Sequence, residues 1–486
     1  MEDYRIVEHP IIDFKRGRKV SFTYNGKRVE AYEGESILAG LYAAGFRVFA
    51  TSPQGDRLRE AFCMIGRCSS CLSRVNGIPN TRICIEPVRD GLIVETQESL
   101  PDIPKVSREI VDVVEEIKDV DVLIIGAGPA GLKAAEILGG YGLRVLVATD
   151  HFRAGGQLVK QTHKFFGDTT YYGGVRGFKI AEKLISNLSR NPNVEISTRT
   201  FVYGYFKEGF FGAEKIGDPS LHLLIRAKYV IVASGASERS LLFENNDLPG
   251  IMGAGGAQTL MNEYGVKPGE DALVIGSGNV GLIVAYQLLQ AGVRVHGIAE
   301  VLREIGGWFV HAAKIRRHGI PIFTGHTIVR AEGRDRVEKA VISQVGKDLK
   351  PLPGTEKEFN VDLVLLAVGL QPNYSLLSQM GALMKYLPEA GGLIPLRTRY
   401  METSIRNVFV AGDLSGIEEA TTAFIEGEIA AYTILEREGF AKAVEKRERI
   451  LNYLWNEYRQ SPVVQRSRDA KLKVTVSEEE MKRLRG

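Results

Sequence analysis

Two stretches of the chain carry the same hydrophobic pattern. In the first, the apolar run VDVLII (residues 120–125) meets a glycine turn, GAGPAG, followed by LKAAEIL, with apolar positions at helical spacing, and by a second apolar run, RVLVA, at 144–148. In the second, DALVI, GSGNVG, LIVAYQLL and VRVHGIAE fill residues 271–300 in the same order. Each reads as strand, glycine turn, helix, strand. Nearly unbroken apolar strands suit a parallel sheet covered on both faces. The two units lie about 150 residues apart, which predicts one such domain inserted into another.

The first hundred residues alternate differently. VSFTY and KRVEAY flank Asn25-Gly26, a pair suited to a tight two-residue hairpin turn. A short helix is expected from about Ser36 to Ala44. Residues 103–118, IPKVSREIVDVVEEIK, are charged and amphipathic and read as a linker. From about Ala441 the chain is basic and helical, ending in VSEEEMKRLRG, where Ser477 and Glu480 fit a capping box.

Composition narrows the classes. With 44% hydrophobic and 25% charged residues, the chain is ordinary globular material. A net charge of +3 gives no case for nucleic acid as a partner. MEDYRIVEHP lacks the apolar core of a signal peptide, and no apolar run reaches about 18 residues. A cytoplasmic location without a membrane span is therefore expected.

All four cysteines, Cys63, Cys68, Cys71 and Cys84, fall within 22 residues. Their spacing, C-x4-C-x2-C-x12-C, favours one metal site. A [2Fe-2S] cluster needs four thiolates, three from a tight loop and one returning from a neighbouring strand. Gly66 lies inside that loop. LSRV, Asn76-Gly77 and TRIC form a hairpin that returns Cys84. A four-cysteine zinc knuckle and two disulfides are the alternatives, though zinc sites usually pair short spacings on both sides. Residues 1–102 are thus expected to be a small α+β ferredoxin-like domain.

In the first glycine turn, Gly126 makes the bend, Gly128 lets a pyrophosphate approach the backbone, and Gly131 lets helix and strand pack. The helix N-terminus offers unpaired N–H groups to phosphate. A carboxylate ending the second strand would bind the adenosine ribose. That slot falls at Thr149 or Asp150, and Asp150 is the chosen candidate. Ala154 precedes Gly155, Gly156 and Gln157; YVIVASGA contains Gly235; TSIRNVFVAGDLSG ends a strand in Gly412-Asp413. This ordered set separates a flavin-binding fold from a plain dehydrogenase and predicts FAD here. His151 and His163 lie nearby and are assigned packing or surface roles. In the second turn, Gly276, Gly278 and Gly281 repeat the fingerprint, and Glu300 ends the strand. A carboxylate there favours NAD over NADP. VDLVLLAVGLQPN supplies Gly369. A vestigial domain that binds nothing is the alternative.

Together these residues resemble the pyridine-nucleotide–disulfide-reductase fold without its redox disulfide. The expected architecture is α/β: two Rossmann-like dinucleotide-binding domains after the ferredoxin-like domain. The expected boundaries are 1–102 for the cluster domain, 103–118 for the linker, 119–250 with 379–437 for the FAD domain, 251–378 for the NAD domain, and 438–486 for the helical tail. GRCSSCLSRVNG with PVRDG, SERSLLFENNDLPGIM and GSGNVGL further resemble the α subunits of the sarcosine oxidase, dye-linked L-proline dehydrogenase and hydrogen cyanide synthase group. The resemblance implies an FAD-dependent oxidoreductase subunit with NADH:acceptor activity. It implies an amine-oxidising β subunit bearing its own FAD, and small ferredoxin-like subunits. In that group the first site holds FAD, NAD or ATP, and an FMN lies between subunits. A stand-alone NADH:acceptor oxidoreductase and a non-catalytic nucleotide-binding scaffold are the competing readings. No catalytic side chain is assigned, because the cofactors carry the chemistry.

Overall fold

The computed structural model describes residues 3–54, 57–101, 114–165, 169–217, 221–460 and 465–485. The chain forms two compact units: Met1–Val106 with Glu238–Gly369, and Ser107–Ser237 with Leu370–Gly486. The divisions between these units fall at 237/238 and 369/370. Local hydrogen bonding accounts for part of this. Asn373 donates its backbone N–H to Gly235 O (3.0 Å) and its side-chain amide to Ser234 O (2.8 Å), tying 370 onward to the second unit.

The first unit opens with a small mixed sheet. Its strand order is Lys27–Tyr32, Lys19–Tyr24, Ile93–Thr96, Leu72–Val75, Ile78–Arg82. Both Asn-Gly pairs make the expected turns, with φ of 48° and 75° at Asn25-Gly26 and 49° and 80° at Asn76-Gly77. Two positive φ values in succession match the right-handed twist of the paired strands. Helix Ile37–Ala43 is capped by Ser36, whose Oγ accepts from Ala39 N at 3.2 Å. The rest of this unit is a five-stranded parallel sheet in the order Ile251–Gly253, Leu363–Leu366, Asp271–Ile275, Arg294–Glu300, Ile322–Thr324. An antiparallel three-stranded sheet, His326–Glu332, Lys339–Gln344 and Lys357–Asn360, accompanies it.

The two parts of this unit are knitted together along residues 57–63. Arg57 and Arg59 pair with Asp247 at 2.7 and 3.5 Å. The buried Glu60 carboxylate accepts from Gly250 N and from Tyr42 Oη. Gly253 N donates to Phe62 O at 3.1 Å.

The second unit is built on a seven-stranded sheet. Val194–Ser197, Val145–Ala148, Val114–Ile125 and Leu221–Val232 run parallel, and Val408–Val410 pairs with Val230–Val232. Helices Pro129–Gly140 and Ala420–Arg437 pack on each other closely enough that a Cβ at Gly427 would collide with Ala130 O. Of the expected linker, residues 103–113 lie outside the described residues, and 114–118 belong to the strand Val114–Ile125. The tail folds as helices Lys442–Asn456, Gln465–Leu472 and Glu478–Leu484, the last capped by Ser477 Oγ accepting from Glu480 N at 3.1 Å.

Candidate cluster and nucleotide sites

The cysteine loop bends through an unusual backbone. Met64, Gly66 and Ser69 all have left-handed φ, at 56°, 72° and 62°. Two non-glycine residues in that region are held there by the surrounding structure, a feature that clusters at functional sites. A Cβ at Gly66 would sit 2.7 Å from Ile85 Cδ1, so the residue after Cys84 fixes this glycine. The loop and the returning hairpin bring the thiols together in two pairs, Cys63 with Cys68 and Cys71 with Cys84. Among the described residues, no group of three or more histidine, cysteine, aspartate or glutamate side chains is gathered closely enough to hold a metal ion.

Two neighbouring pairs fit a two-iron rhomb, in which each iron takes two thiolates. The thiols within each pair compete for protons. The Cys68 hydrogen bond, then burial, push Cys63 well up, while the hydrogen bond from Cys63 pulls Cys68 down to about 5. The hydrogen bond with Cys71, then burial, push Cys84 up. Cys63, Cys71 and Cys84 are at most 2% exposed, and Cys68 is half-buried.

The glycine turn of the first unit is closed by its neighbours. Gly276 has φ 105° and donates to Ala299 O at 2.7 Å. A Cβ at Gly276 would strike Ala367 O, and one at Gly281 would strike Gly276 O. A Cβ at Gly278 would meet nothing within 4 Å, which leaves its backbone open to a ligand at the N-terminus of helix Asn279–Gln290. Glu300 braces the turn. Its Oε2 accepts from Ser277 N (2.8 Å) and Ser277 Oγ (2.7 Å), and its Oε1 accepts from Leu302 N (2.9 Å). A carboxylate has about four acceptor positions, so roughly one remains for a ribose hydroxyl. Gly369 has φ 109°, and its carbonyl accepts from Arg239 N at 3.1 Å.

The second unit repeats the turn at Gly126, Gly128 and Gly131. Cβ atoms at the first and third would collide with Ala233 O and Gly126 O, and Gly128 is open. A further segment presses on each turn in the same way. Gly155 N donates to Ala127 O (2.8 Å), as Gly307 N does to Ser277 O (2.8 Å). Gly156, with φ 54°, lies so close to Gly128 Cα that a Cβ would be 2.7 Å away. Gln157 is exposed beside it. Gly235 has φ 66°, and a Cβ there would meet nothing within 4 Å.

The register shifts one expectation. Gly126 N donates to Ala148 O as Gly276 N donates to Ala299 O. Thr149 therefore occupies the place of Glu300, and Asp150 lies one residue beyond the slot. The chain turns there, with Thr149 N bonded to Ser197 O and Thr200 N to Thr149 O.

Gly412 and Asp413 follow strand Val408–Val410, as expected, and lie beside an ionic cluster that sequence reasoning missed. Glu426 Oε2 accepts from Gly412 N (3.0 Å) and Ser415 Oγ (2.5 Å). Its Oε1 accepts from Lys471 Nζ (2.6 Å) and Arg459 Nη2 (3.1 Å). Arg459 and Lys471 also meet Glu418, at 2.6 and 3.1 Å. The charged side chains are all buried, and Arg459 and Lys471 come from the tail. Burial would raise the Glu426 carboxyl, but Lys471, Arg459 and Arg397 outweigh it and hold it at about 2. Burial wins at Asp413, which is pushed up to about 6.

Comparison with known proteins agrees with this geometry. Residues 120–427 match the pyridine nucleotide-disulphide oxidoreductase family, and residues 17–99 match the 2Fe-2S iron-sulfur cluster binding domain. The chain is 24% identical to sarcosine oxidase subunit alpha of Corynebacterium sp. (strain P-1), over 90% of this chain and 45% of that protein. It is 28% identical to hydrogen cyanide synthase subunit HcnB of Pseudomonas protegens, over 65% of this chain and 70% of that one. The crystal structure of L-proline dehydrogenase from P. horikoshii superposes with a TM-score of 0.69 at 26% identity, covering 91% of this chain and 79% of that one. The chain thus spans about half the length of the sarcosine oxidase subunit it matches. With the family match running through both glycine cradles, this chain belongs to the pyridine nucleotide-disulphide oxidoreductase family and carries an N-terminal 2Fe-2S iron-sulfur cluster binding domain.

Proposed function

We propose that this chain is the FAD- and [2Fe-2S]-containing α-type subunit of a multi-subunit amino-acid dehydrogenase of the sarcosine or proline kind, with NADH:acceptor activity. The observation that carries the reading is the presence of two open glycine cradles and four paired thiols in one chain. The likeness to sarcosine oxidase subunit alpha over 90% of the chain supports the subunit role. Cys63, Cys68, Cys71 and Cys84 hold the cluster. Gly126, Gly128, Gly131, Gly155, Gly156, Gln157, Gly235, Gly412 and Asp413 line the FAD site, with Asp150 at its edge. Gly276, Gly278, Gly281, Glu300 and Gly369 line the NAD site.

When bound, the flavin supplies two-electron chemistry and the cluster one-electron steps. The chain's own residues position these groups. The first turns of helices Pro129–Gly140 and Asn279–Gln290 offer N–H donors to phosphates, from Ala130 onward in the first because Pro129 has none. Glu300 offers a braced acceptor to ribose hydroxyls. Burial pushes the Asp413 carboxyl up to about 6, and its oxygens are acceptors for a hydroxyl-bearing ligand. Amine oxidation is assigned to a separate FAD-bearing β subunit, with small ferredoxin-like subunits completing the complex. FAD is favoured over ATP for the first site, and an FMN at a subunit boundary belongs to the same reading. Among the described residues no helix is long and apolar enough to cross a membrane; a cytoplasmic location is part of the same proposal.

Affinity capture of the tagged chain from its native cells tests the assignment. Co-purification of a second flavoprotein at equal stoichiometry, with sarcosine- or proline-dependent dye reduction, is expected. A chain that purifies alone with full NADH–dye activity contradicts the subunit reading and favours a stand-alone oxidoreductase.

A further inference from the structure

Helix Ala254–Asn262 starts without a cap of its own. Its N-cap is Gly253, which has no side chain to take up the N–H groups of the first turn. The acceptor comes from Glu238, whose carboxylate accepts from Gly255 N at 2.6 Å and Gly256 N at 3.2 Å. A Cβ at Gly253 would lie 2.2 Å from Glu238 Oε2, so glycine at the cap is what admits the carboxylate.

The cysteine loop rests on the same helical turn. Gly253 N donates to Phe62 O at 3.1 Å, and a Cβ at Gly256 would collide with Phe62 O and lie 3.4 Å from Cys63 C. Gly256 therefore meets Glu238 through its N–H and the cysteine loop through its α-carbon. Cys63 is buried, and its Sγ accepts from Arg67 N at 3.4 Å. A helix N-terminus carries about half a positive charge. Left bare beside the loop, this one would favour the more negative, reduced state of a cluster held by Cys63. Glu238 sets a negative charge on the same N–H groups and reverses that bias.

We propose that Glu238 is a positioning residue for the cluster, acting through Gly256, and that its charge holds the cluster's reduction potential down. The proposal rests on the cluster reading above and adds what sets the cluster's driving force. Net charge, hydrogen bonds to sulfur and solvent exposure are the levers on an iron–sulfur potential. A charge acts further where water is excluded, as it is around Cys63 and the buried glycines of this turn. Reduction adds one electron to the cluster, with no bond formed or broken. A fixed negative charge opposes that electron, and the reduced cluster is then the stronger reductant for its one-electron acceptor. Capping the helix and lowering the potential are separable: a glutamine keeps an acceptor oxygen for the turn and removes the charge.

The test is a redox titration of the full chain with dithionite and mediators, followed by electron paramagnetic resonance of the reduced cluster. E238Q is expected to favour reduction about tenfold, a rise of about 59 mV for a one-electron couple. E356Q removes the same charge from an exposed loop of the same unit and should leave the potential unchanged. E238D keeps the charge and shortens the reach, and its potential should stay within about twofold of the wild-type equilibrium. An E238Q chain that keeps the cluster signal at the wild-type potential, or below it, overturns the proposal. So does an E238D chain shifted as far as E238Q is expected to shift, since packing rather than charge would then set the potential; this arm decides the matter even where E238Q fails to fold. A shift in E356Q equal to that in E238Q overturns it too, because net charge alone would be read. A reduced wild-type chain with no cluster signal refutes the cluster reading itself, a result distinct from all of these.

Discussion

The two glycine cradles of this chain are built alike and supported differently. Each has a first glycine pressed on a neighbouring strand's carbonyl, an open second glycine, and a third packed on the first. Each is backed by a segment donating one N–H to the residue between the first two glycines. In the first unit the support is local: Glu300 binds Ser277 directly. In the second unit the equivalent slot holds Thr149, and the buried carboxylate is Glu426, which meets Gly412 rather than the glycine turn and is balanced by cations from the tail. One cradle is thus braced by its own second strand. The other has no such brace, and the buried carboxylate of its unit is balanced by Arg459 and Lys471, more than 300 positions beyond the turn.

The sharpest break of this comparison is E426Q. It removes one of the two carboxylates that Lys471 and Arg459 share and leaves Glu418 alone against both buried cations, at a cost of about 3–5 kcal/mol. Chemical denaturation should show that loss confined to the second unit, with NADH binding retained at the Glu300 cradle. Loss of both would mean that the units are not separately supported.

Next in size is a pH effect in the ligand-free chain. Asp413 has a folded-state pKa of about 6 against an ordinary 3.8. As pH rises the unfolded chain loses this proton first. The stability it contributes below about pH 4 is therefore lost as pH climbs through about 6, some ~3 kcal/mol in all. Glu426, held at about 2, acts in the opposite sense, and its contribution is lost as pH falls from about 4.5 through about 2. D413N should flatten the unfolding free energy between pH 4 and 6; an unchanged slope would contradict the assignment.

G131A and G281A each push a Cβ onto a carbonyl oxygen and should cost about 1–3 kcal/mol. Each should empty only its own site, flavin for G131A and NADH for G281A, as read by bound-cofactor content. The smallest effects distinguish the two carboxylate slots. E300Q should weaken NADH binding about tenfold, or about 1.4 kcal/mol. D150N should change flavin retention by less than about 0.5 kcal/mol, because Asp150 lies beyond the slot. Equal effects from the two would remove the distinction between Glu300 and Thr149.

What the sequence disclosed follows from how far each signal reaches. The Asn25-Gly26 and Asn76-Gly77 turns are legible because a positive φ is a local demand. The glycine turns are legible because the collisions that forbid a Cβ recur at fixed spacing. The register that places Thr149 opposite Glu300 is not, since two strand ends of similar sequence differ by one residue in where the backbone turns. The tail reads only as basic helices, because a lysine in a charged segment carries no mark of burial. Lys471 and Arg459 are buried only because Glu418 and Glu426 await them in a distant helix and its approach. Docking of Phe62 on Gly253 and Gly256 is equally hidden. The glycines at 253, 255 and 256 are its only trace, and a glycine cluster does not name what approaches it.

The account's central claim is that one chain holds a nucleotide site and a two-iron cluster that exchange electrons. The most direct measurement is the absorption spectrum of the purified chain, with iron and flavin quantified, before and after anaerobic addition of NADH. The account predicts flavin bands and a broad iron–sulfur shoulder, both bleached by NADH. Iron without flavin, or a spectrum that NADH leaves unchanged, would contradict it.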